Sequence, residues 1–524
     1  MSLESLVGWL RRHDARAAVT AERRAIAAER SQGAERATRA ARNLTGTGVD
    51  LGFILPSGER VAVPRARALG HWGIWGPTGV GKSYALVSLL RSYLKAGVRS
   101  VWVLDPKAET VALAEQMILE IASSLPRVQA DRLLDAVVVI EPFSTESLPP
   151  LQVLLPEPGS DPELQAWEVA TLVVRAVGAE VGVRQEALLH RSIECLIRAR
   201  LPLTLLPLVL ESPGVLERMG EHEIFRLTSA KLARESRERI AGLMGRTERL
   251  LRLKSMRLML GGAERCLDFG SLLDDRIVLM NLAPPQGSAD IGRFLMGLLW
   301  QKLVRAILAR PNGSPPAVVV LEEWPEFLAG GGPDVADSCE RLLRLARSRG
   351  VFLVLLAQDL ASVGRVSASL PQVVRTNLHW HAVFRSTEDW RFALPVTGCR
   401  QKPAGPPWEA RSRGYMTRGE EMTVLEDELA HLPDRECLLL ERRSGFPAVR
   451  VRTSDLVLGR HDAGILRERA EASGVLVSAA ALAAHEAAAR ARFAEDAAPA
   501  GAPDRRGAPA PRIRRRGGGP LDLG

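Results

Sequence analysis

Eight consecutive residues carry the clearest chemical signal in the chain. GPTGVGKS, at residues 76–83, matches the pattern G-x-x-x-x-G-K-[ST] at every fixed position. Glycines let a backbone wrap around an anion with its N–H groups turned inward, and a following helix N-terminus adds positive potential. In such loops the lysine reaches the β- and γ-phosphates and the hydroxyl ligates Mg²⁺. We therefore predict that this loop binds ATP and Mg²⁺ through Gly76, Pro77, Thr78, Gly79, Val80, Gly81, Lys82 and Ser83, with Ser83 on the metal.

The segments on either side of the loop are those that a phosphate-binding loop needs. HWGIW, at residues 71–75, can form a short strand, and SYALVSLLRSYL, at residues 83–94, can form a helix. The alternative is a glycine-rich turn that matches the pattern by chance. A strand before the loop and a helix after it favour the phosphate-binding interpretation.

A pair of acidic residues follows the apolar run AVVVL, at residues 317–321. A nucleotide hydrolase needs a carboxylate near its metal and a group that orients or activates water. We predict that Glu322 contacts Mg²⁺, directly or through water, and that Glu323 acts on the attacking water. The usual pair is Asp-Glu, so the glutamate at position 322 is a departure. The alternative is two exposed acids at the end of a buried strand.

Two further polar groups end apolar runs. LDPKAE, at residues 104–109, follows one run, and Gln358 stands at the tip of another within LARSRGVFLVLLAQD, residues 345–359. A polar side chain at such a tip can sense the γ-phosphate or the water. The same segment begins with arginines that precede its strand.

Short aliphatic runs separated by helical stretches predict the scaffold. The runs are continuous rather than alternating, which is typical of strands buried on both faces, and strand–helix alternation favours a parallel α/β sheet. GFILP and RVAVP around Ser57 and Gly58 also predict a β-hairpin. The predicted strands lie at residues 99–104, 136–140, 276–282, 317–321 and 351–356.

The pattern along the chain predicts six segments. A charged helical segment spans residues 1–45, and an α/β domain occupies 46–160 and 271–460. An all-α subdomain at 161–270 interrupts that domain. A C-terminal Ala-rich helix covers 461–494, and a disordered basic tail covers 495–524 because its composition cannot bury a core.

Composition narrows the class of protein. The 524 residues are 46% hydrophobic and 25% charged, which are soluble globular values. Five cysteines without metal-binding spacing fit a reducing cytoplasm. The longest apolar run has proline at two positions and is too short to span a bilayer. We expect a cytoplasmic protein, peripheral at the inner membrane if partners hold it there.

The motifs in this order resemble the FtsK/HerA superfamily of ring-forming P-loop motors, over about residues 50–445. Five elements carry the resemblance: HWGIWGPTGVGKS, the Asp-Pro-Lys at 105–107, the acidic motif, RSRGVFLVLLAQD and the Asn377 region. The Asp-Pro-Lys is similar to an Asp-x-Lys of type IV secretion coupling proteins. Conjugative coupling proteins and HerA helicases share the order of elements, with the helical insert before the acidic motif.

This resemblance implies a RecA-like P-loop ATPase domain that assembles into a ring, usually a hexamer. It adds Asp105 and Lys107 to the nucleotide site, and makes Glu323 and Gln358 catalytic. It also implies an arginine that a neighbouring subunit supplies, for which Arg347 is the first candidate and Arg349 the second. The alternative for these arginines is a solvated or acid-paired helix face, since residues 341, 344 and 347 share one side of a helix.

The net charge of +9 is unevenly distributed. Residues 1–43 hold nine arginines and five acidic residues, residues 497–524 hold six and two, and the remainder is close to neutral. Residues 231–257 of the predicted insert hold nine basic and three acidic residues, which could contact DNA phosphates or form a solvated helix face.

Three functions remain open on the sequence. The first is an ATP-driven DNA translocase, for conjugative transfer or DNA processing, that works with a secretion channel or a membrane partner. The second is a secretion or pilus-assembly ATPase that moves protein. The third is a nucleotide-gated adaptor without turnover, which Glu323 and Gln358 disfavour.

Overall fold

A computed structural model describes most of the chain from residue 48 to residue 497. It covers residues 48–155, 161–176, 182–262, 265–329, 335–388, 390–396, 400–401, 415–442 and 448–497, and five isolated helical positions between 21 and 35. The predicted tail beyond residue 497 and nearly all of the predicted segment 1–45 lie outside these residues.

Thirteen strands lie in the described ranges. They are β1 (Val49–Ile54), β2 (Arg60–Val63), β3 (Trp72–Trp75), β4 (Ser100–Asp105), β5 (Val137–Ile140), β6 (Ser147–Leu148), β7 (Ile277–Asn281), β8 (Ala317–Leu321), β9 (Val351–Ala357), β10 (Trp380–Val383), β11 (Glu436–Glu441), β12 (Val449–Thr453) and β13 (Val477–Ser478).

Nineteen α-helices accompany them in the same ranges. They are α1 (Arg65–Ala68), α2 (Lys82–Lys95), α3 (Glu109–Ser123), α4 (Arg127–Asp135), α5 (Pro162–Ala176), α6 (Val183–Arg198), α7 (Leu206–Glu211), α8 (Glu223–Arg234), α9 (Arg237–Leu250), α10 (Lys254–Gly261), α11 (Phe269–Asp275), α12 (Ala289–Ala309), α13 (Trp324–Ala329), α14 (Val335–Leu345), α15 (Leu360–Val366), α16 (Leu370–Asn377), α17 (Arg418–Ala430), α18 (Gly464–Ala472) and α19 (Ala479–Ala497).

One large sheet of eleven strands organises the chain, in the order β2-β1-β12-β11-β10-β3-β9-β8-β4-β7-β5. The seven strands from β10 to β5 are parallel, and β11, β12, β1 and β2 extend the sheet by antiparallel pairing. The parallel strands are buried on both faces, as their unbroken apolar sequences require. The predicted α/β class, the five predicted strands and the β1–β2 hairpin are confirmed.

The register of the parallel strands aligns their carboxyl ends along one sheet edge. Trp75 of β3 pairs with Ala357 of β9 and Val383 of β10, and Leu321 of β8 pairs with Leu104 of β4. Polar residues that follow these strands therefore come together at a single edge, which we call the carboxyl edge. Ligands of open parallel sheets bind along such an edge.

Helices alone occupy the described residues between β6 and β7. They comprise α5–α11 and two short 3₁₀ turns, Leu203–Leu205 and Pro213–Arg218. Their apolar faces join one core with α12 and one face of the sheet. The boundaries predicted for this subdomain and for the other segments remain predictions.

The C-terminal part of the described chain differs from the single helix predicted at residues 461–494. Two helices, α18 and α19, are separated by β13, and Gly474 has a φ of 70°, a left-handed conformation that ends the first helix. β13 pairs with β6. Asn377 is the last residue of α16, and the next strand, β10, begins at Trp380. No helix among the described residues is long and apolar enough to cross a membrane.

Candidate nucleotide-binding site

The predicted phosphate-binding loop connects β3 to α2 at the carboxyl edge. Gly76, Gly79 and Gly81 have φ values of 146°, 88° and 99°, which side-chain-bearing residues rarely adopt. A Cβ at Gly76 would also lie 2.7 Å from the Cβ of Phe384. Glycine at positions 76 and 81 therefore allows the loop backbone to curve around a single point.

Lys82 lies buried at the start of α2, inside the loop. Its Nζ donates hydrogen bonds to the carbonyl oxygens of Gly76, at 2.6 Å, and Pro77, at 2.7 Å. Burial lowers the pKa of Lys82, while the nearby charges of Glu323 and Glu322 oppose that shift. The carbonyl oxygens of the loop therefore accept the hydrogen bonds of the Lys82 ammonium group. The group lies beside the position that an incoming phosphate would take.

Glu322 follows β8 and faces the start of α2. Its backbone N–H donates to the carbonyl of Leu104 at 3.0 Å, which continues the pairing of β8 with β4 past the strand end. The Ser83 hydroxyl lies 3.5 Å from Glu322 Oε1, at the limit of a hydrogen bond. The two predicted metal-binding residues, 239 positions apart in the sequence, are therefore adjacent.

The environment of Glu322 disfavours its charged form. The residue is 7% exposed. Burial, followed by the neighbouring charges of Asp105 and Glu323, raises the pKa of Glu322 to about 7. Lys107 and the Thr110 hydroxyl lower it. Glu322 Oε2 and Thr110 Oγ1 are both buried, and neither makes a hydrogen bond of good geometry with a described residue.

A divalent cation fits this arrangement. A buried carboxylate next to a serine hydroxyl is an oxygen-donor set of the kind Mg²⁺ takes with one or two carboxylates and substrate phosphates. No group of three or more potential metal-binding side chains was found among the described residues. Mg²⁺ bound through one or two carboxylates is completed by substrate phosphates and water.

Glu323 stands one residue further, at the turn into α13. Its φ of 48° is a left-handed conformation that is strained for a residue with a side chain. Glu323 Oε1 accepts a hydrogen bond from Gln358 Nε2 at 3.1 Å and forms an ion pair with Lys107. Residues from three strand ends, those of β4, β8 and β9, thus meet at one carboxylate oxygen.

Asp105 makes its contacts within its own loop. The side chain is fully buried, and it accepts hydrogen bonds from the backbone N–H groups of Lys107, at 2.7 Å, Thr110, at 2.8 Å, and Val111, at 3.2 Å. Burial raises the pKa of Asp105, and these donors counteract it. Asp105 therefore shapes the turn that presents Lys107. Burial alone would lower the pKa of Lys107, but pairing with Glu323 raises it above its ordinary value.

Arg347 and Arg349 are not brought to these groups. Both belong to the 3₁₀ turn Ala346–Arg349, which precedes β9, so they lie at the sheet edge opposite the carboxyl edge. Seven residues of β9 separate that turn from Gln358, a span of roughly 23 Å at about 3.3 Å per residue. Arg347 is exposed, and Arg349 Nη1 donates to the carbonyl of Arg310 at 2.6 Å. Neither arginine can serve the site of its own subunit.

Arg435 also lies next to the phosphate-binding loop, although it belongs to none of the sequence motifs. It precedes β11, and its backbone N–H donates to the carbonyl of Val80 at 2.8 Å. Its φ is 69°, and a Cβ at Gly81 would lie 3.0 Å from its Cγ. Its position depends on antiparallel strands far along the chain, which local sequence does not reveal.

Solved structures share this fold at low sequence identity. VirB4 of Thermoanaerobacter pseudethanolicus matches with a TM-score of 0.52 and 15% identity, over 78% of this chain and 97% of that one. The bacterial conjugative coupling protein TrwBdeltaN70 in its unbound monoclinic form matches with a TM-score of 0.50 and 15% identity, over 80% and 93%. TrwB in complex with ADP and Mg²⁺ gives 0.50 and 14%, over 80% and 93%.

These likenesses establish the fold. The chain has the α/β architecture of RecA-like P-loop ATPases, with a large, mostly parallel sheet, as the sequence predicts. No family model and no curated protein matches the chain.

Proposed function

We propose that this chain is an ATP-hydrolysing motor of the FtsK/HerA superfamily that works in type IV secretion. One observation carries the proposal. Lys82, Ser83, Glu322, Glu323 and Gln358 come from three separate strand ends and lie together at the carboxyl edge. These are the groups that phosphate binding, metal binding and water activation need, in one place.

Each group has a defined part in hydrolysis. Lys82 exchanges the carbonyls of Gly76 and Pro77 for phosphate oxygens, because a phosphate is the stronger acceptor for an ammonium group. Ser83 and Glu322 hold Mg²⁺, which when bound offsets the negative charge of the phosphates. Pro77, Thr78 and Val80 contribute backbone groups to the loop around the phosphates.

Glu323 acts on the attacking water and Gln358 orients it. In the structure Glu323 Oε1 is occupied by Lys107 and Gln358. Because both contacts fall on this oxygen, Lys107 must withdraw before the oxygen can contact the attacking water. Lys107 moves to phosphate oxygens when ATP enters, which couples nucleotide arrival to release of the base.

The cargo that we propose is DNA, moved by a homo-oligomeric ring, in most such motors a hexamer. The coupling protein TrwB, with which the chain shares its fold, is a conjugation protein. Among the nine basic residues of 231–257, seven are exposed: Lys231, Arg234, Arg237, Arg239, Arg249, Arg252 and Lys254. Exposed cations of this density suit contacts to a phosphate backbone. A secretion channel or a membrane partner would receive the DNA.

A protein cargo is the second candidate, and the charge distribution favours it. Residues 44–496 hold 55 basic and 54 acidic residues, so the motor itself lacks the strong positive charge that a polyanion would select. Two of the seven exposed cations also form ion pairs, since Arg239 pairs with Glu235 and Arg249 with Asp290.

ATP turnover with and without single- and double-stranded DNA, across a salt series, separates the two cargoes. A DNA motor shows a DNA-stimulated rate that falls steeply with salt, because binding releases counterions from the phosphates. A rate that DNA does not change at any salt concentration would exclude the DNA cargo and leave protein transport.

A further inference from the structure

The phosphate-binding loop lies between two different groups of residues along the carboxyl edge. On one side, across β9, are the carboxylates that follow β8. On the other side, across β10, is the start of β11, which reaches the same edge because β11 runs antiparallel to β10. Arg435 stands there, three residues before Leu438, the partner of Val383 at the end of β10.

The order of residues in the loop gives a nucleotide one orientation. Lys82 and Ser83 face the carboxylates, so the terminal phosphates lie on the β8 side. Loops of this type cradle the α- and β-phosphates with backbone N–H groups at the helix start. Tyr84, the next residue of α2, therefore lies at the α-phosphate end. The sugar and base extend from that end, away from the carboxylates and toward β11.

Tyr84 offers an aromatic face at this end. The residue is 42% exposed, whereas most Trp, Phe and Tyr residues in the described part of the chain are buried. The guanidinium carbon of Arg435 lies 5.8 Å from the centre of the Tyr84 ring. A cation at that distance is attracted to the ring and supports it from one side.

Arg435 is itself rigidly held, so the ring has a fixed support. Its side chain forms an ion pair with Asp455 and donates from Nη2 to the carbonyl of Ser454 at 2.8 Å. Its backbone bonds to Val80 of the loop and to Thr453 of β12, each at 2.8 Å. The strained left-handed backbone of Arg435 is therefore stabilised by contacts on three sides.

From this geometry we infer that Tyr84, braced by Arg435, is the stacking surface for the nucleotide base. The inference rests on the proposed function, since it assigns the nucleoside end of the same ATP. The ligand class is a purine nucleoside triphosphate, because purines have the larger stacking area. The Tyr84 ring contacts the flat face of the base and not the edge that carries its hydrogen-bonding groups.

Binding measurements on the full chain test this inference with two probes, ATP and inorganic tripolyphosphate, which has no base. Tyr84→Ala raises the dissociation constant for ATP about tenfold, because the variant loses the aromatic ring on which the base stacks. The same variant binds tripolyphosphate as the wild type does. Tyr84→Phe keeps the ring and binds ATP normally. Phe53→Ala, an aromatic residue of similar exposure on β1, is the matched control.

Two results would overturn the inference while leaving the proposed function intact. One is a Tyr84→Ala variant that binds ATP like the wild type. The other is an equal loss of affinity for ATP and tripolyphosphate, which would place Tyr84 in the phosphate cradle. If the wild type binds neither probe, or if Lys82→Ala changes neither affinity, the proposed function and the inference both fail.

Discussion

At the scale of single residues, the chemistry of Glu322 depends strongly on its surroundings. It is buried next to Asp105 and Glu323, and its pKa is raised to about 7. Without a cation the folded protein therefore holds a proton that the unfolded chain, with a pKa near 4.5, has lost at neutral pH. Stability must fall as pH rises between these two values.

We predict that Glu322→Gln stabilises the nucleotide-free protein in a pH-dependent manner. Near pH 5 the wild-type side chain is already neutral in the folded state, so the variant gains little. Near pH 8 the variant avoids a buried charge and gains roughly 2–3 kcal/mol. Thermal unfolding at the two pH values measures this difference. Equal unfolding temperatures for variant and wild type near pH 8 would contradict the conclusion that burial disfavours the ionised form of Glu322.

Glu323→Gln should separate nucleotide binding from hydrolysis. The amide keeps the shape of the side chain but cannot accept a proton, so turnover falls about 10²–10⁴-fold while ATP binding persists. Single-turnover hydrolysis and equilibrium binding check the two halves of the prediction. Glu326→Gln, an exposed acid one turn further along α13, serves as the control and should hydrolyse normally. Wild-type turnover in Glu323→Gln would move the base to another residue.

At the scale of elements, α18, the first of the two helices after β12, packs against β5 at the edge of the large sheet. Arg467 of this helix pairs with Glu115 of α3 and Glu141, which follows β5, while Arg469 pairs with Asp131 and Asp135 of α4. The two arginines differ in what they neutralise. Glu115 is buried, and its pKa is raised by burial, whereas Asp131 and Asp135 are largely exposed.

Arg467→Ala should therefore destabilise the protein more than Arg469→Ala. Loss of Arg467 leaves a buried carboxylate without its cation, at a cost of about 1–3 kcal/mol, whereas the exposed pairs of Arg469 contribute about 1 kcal/mol or less. Chemical denaturation of the two variants gives the comparison. Equal destabilisation would contradict the prediction that the buried carboxylate of Glu115 makes Arg467 the more important of the two arginines.

Elements that local pattern determines are predictable from this sequence, and elements that distant pairing determines are not. The unbroken apolar runs of β4, β7, β8 and β9 predict strands that are buried on both faces, because neither face of such a strand carries polar side chains for contact with water. The break between α18 and α19 depends on Gly474, which an Ala-rich helical pattern masks.

The same distinction applies to the site. Motif order predicts Lys82, Glu323 and Gln358, and the structure brings them to one edge. The ion pair of Lys107 with Glu323 joins residues 216 positions apart, and Arg435 reaches the loop through antiparallel strands near the end of the domain. Such contacts follow from sheet topology and not from spacing.

At the scale of the whole molecule, two groups of candidate residues lie at opposite edges of the sheet. The residues proposed to bind nucleotide lie at the carboxyl edge, and Arg347 lies in an exposed turn at the opposite edge. If Arg347 takes part in hydrolysis, as we propose, it must act at the site of a neighbouring subunit in the proposed ring.

Mixing subunits tests the proposed role of Arg347. Arg347→Ala and Glu323→Gln are each inactive alone if both groups are needed at every interface. Mixed rings regain part of the activity, because some interfaces combine an intact Glu323 with an intact Arg347. Arg341→Ala, an exposed arginine on α14, provides the control and stays active alone. Mixed rings without recovered activity would exclude Arg347 as the residue acting between subunits.

Mg²⁺-dependent ATP hydrolysis by the purified chain, compared with Lys82→Ala, tests the central claim most directly. The variant loses the ammonium group that neutralises the terminal phosphates, so we predict measurable turnover in the wild type and at least about a hundredfold less in the variant. Lys95→Ala, an exposed lysine at the other end of the same helix, should retain wild-type turnover. Hydrolysis that persists unchanged in Lys82→Ala would contradict the assignment of this site as the motor's ATPase centre.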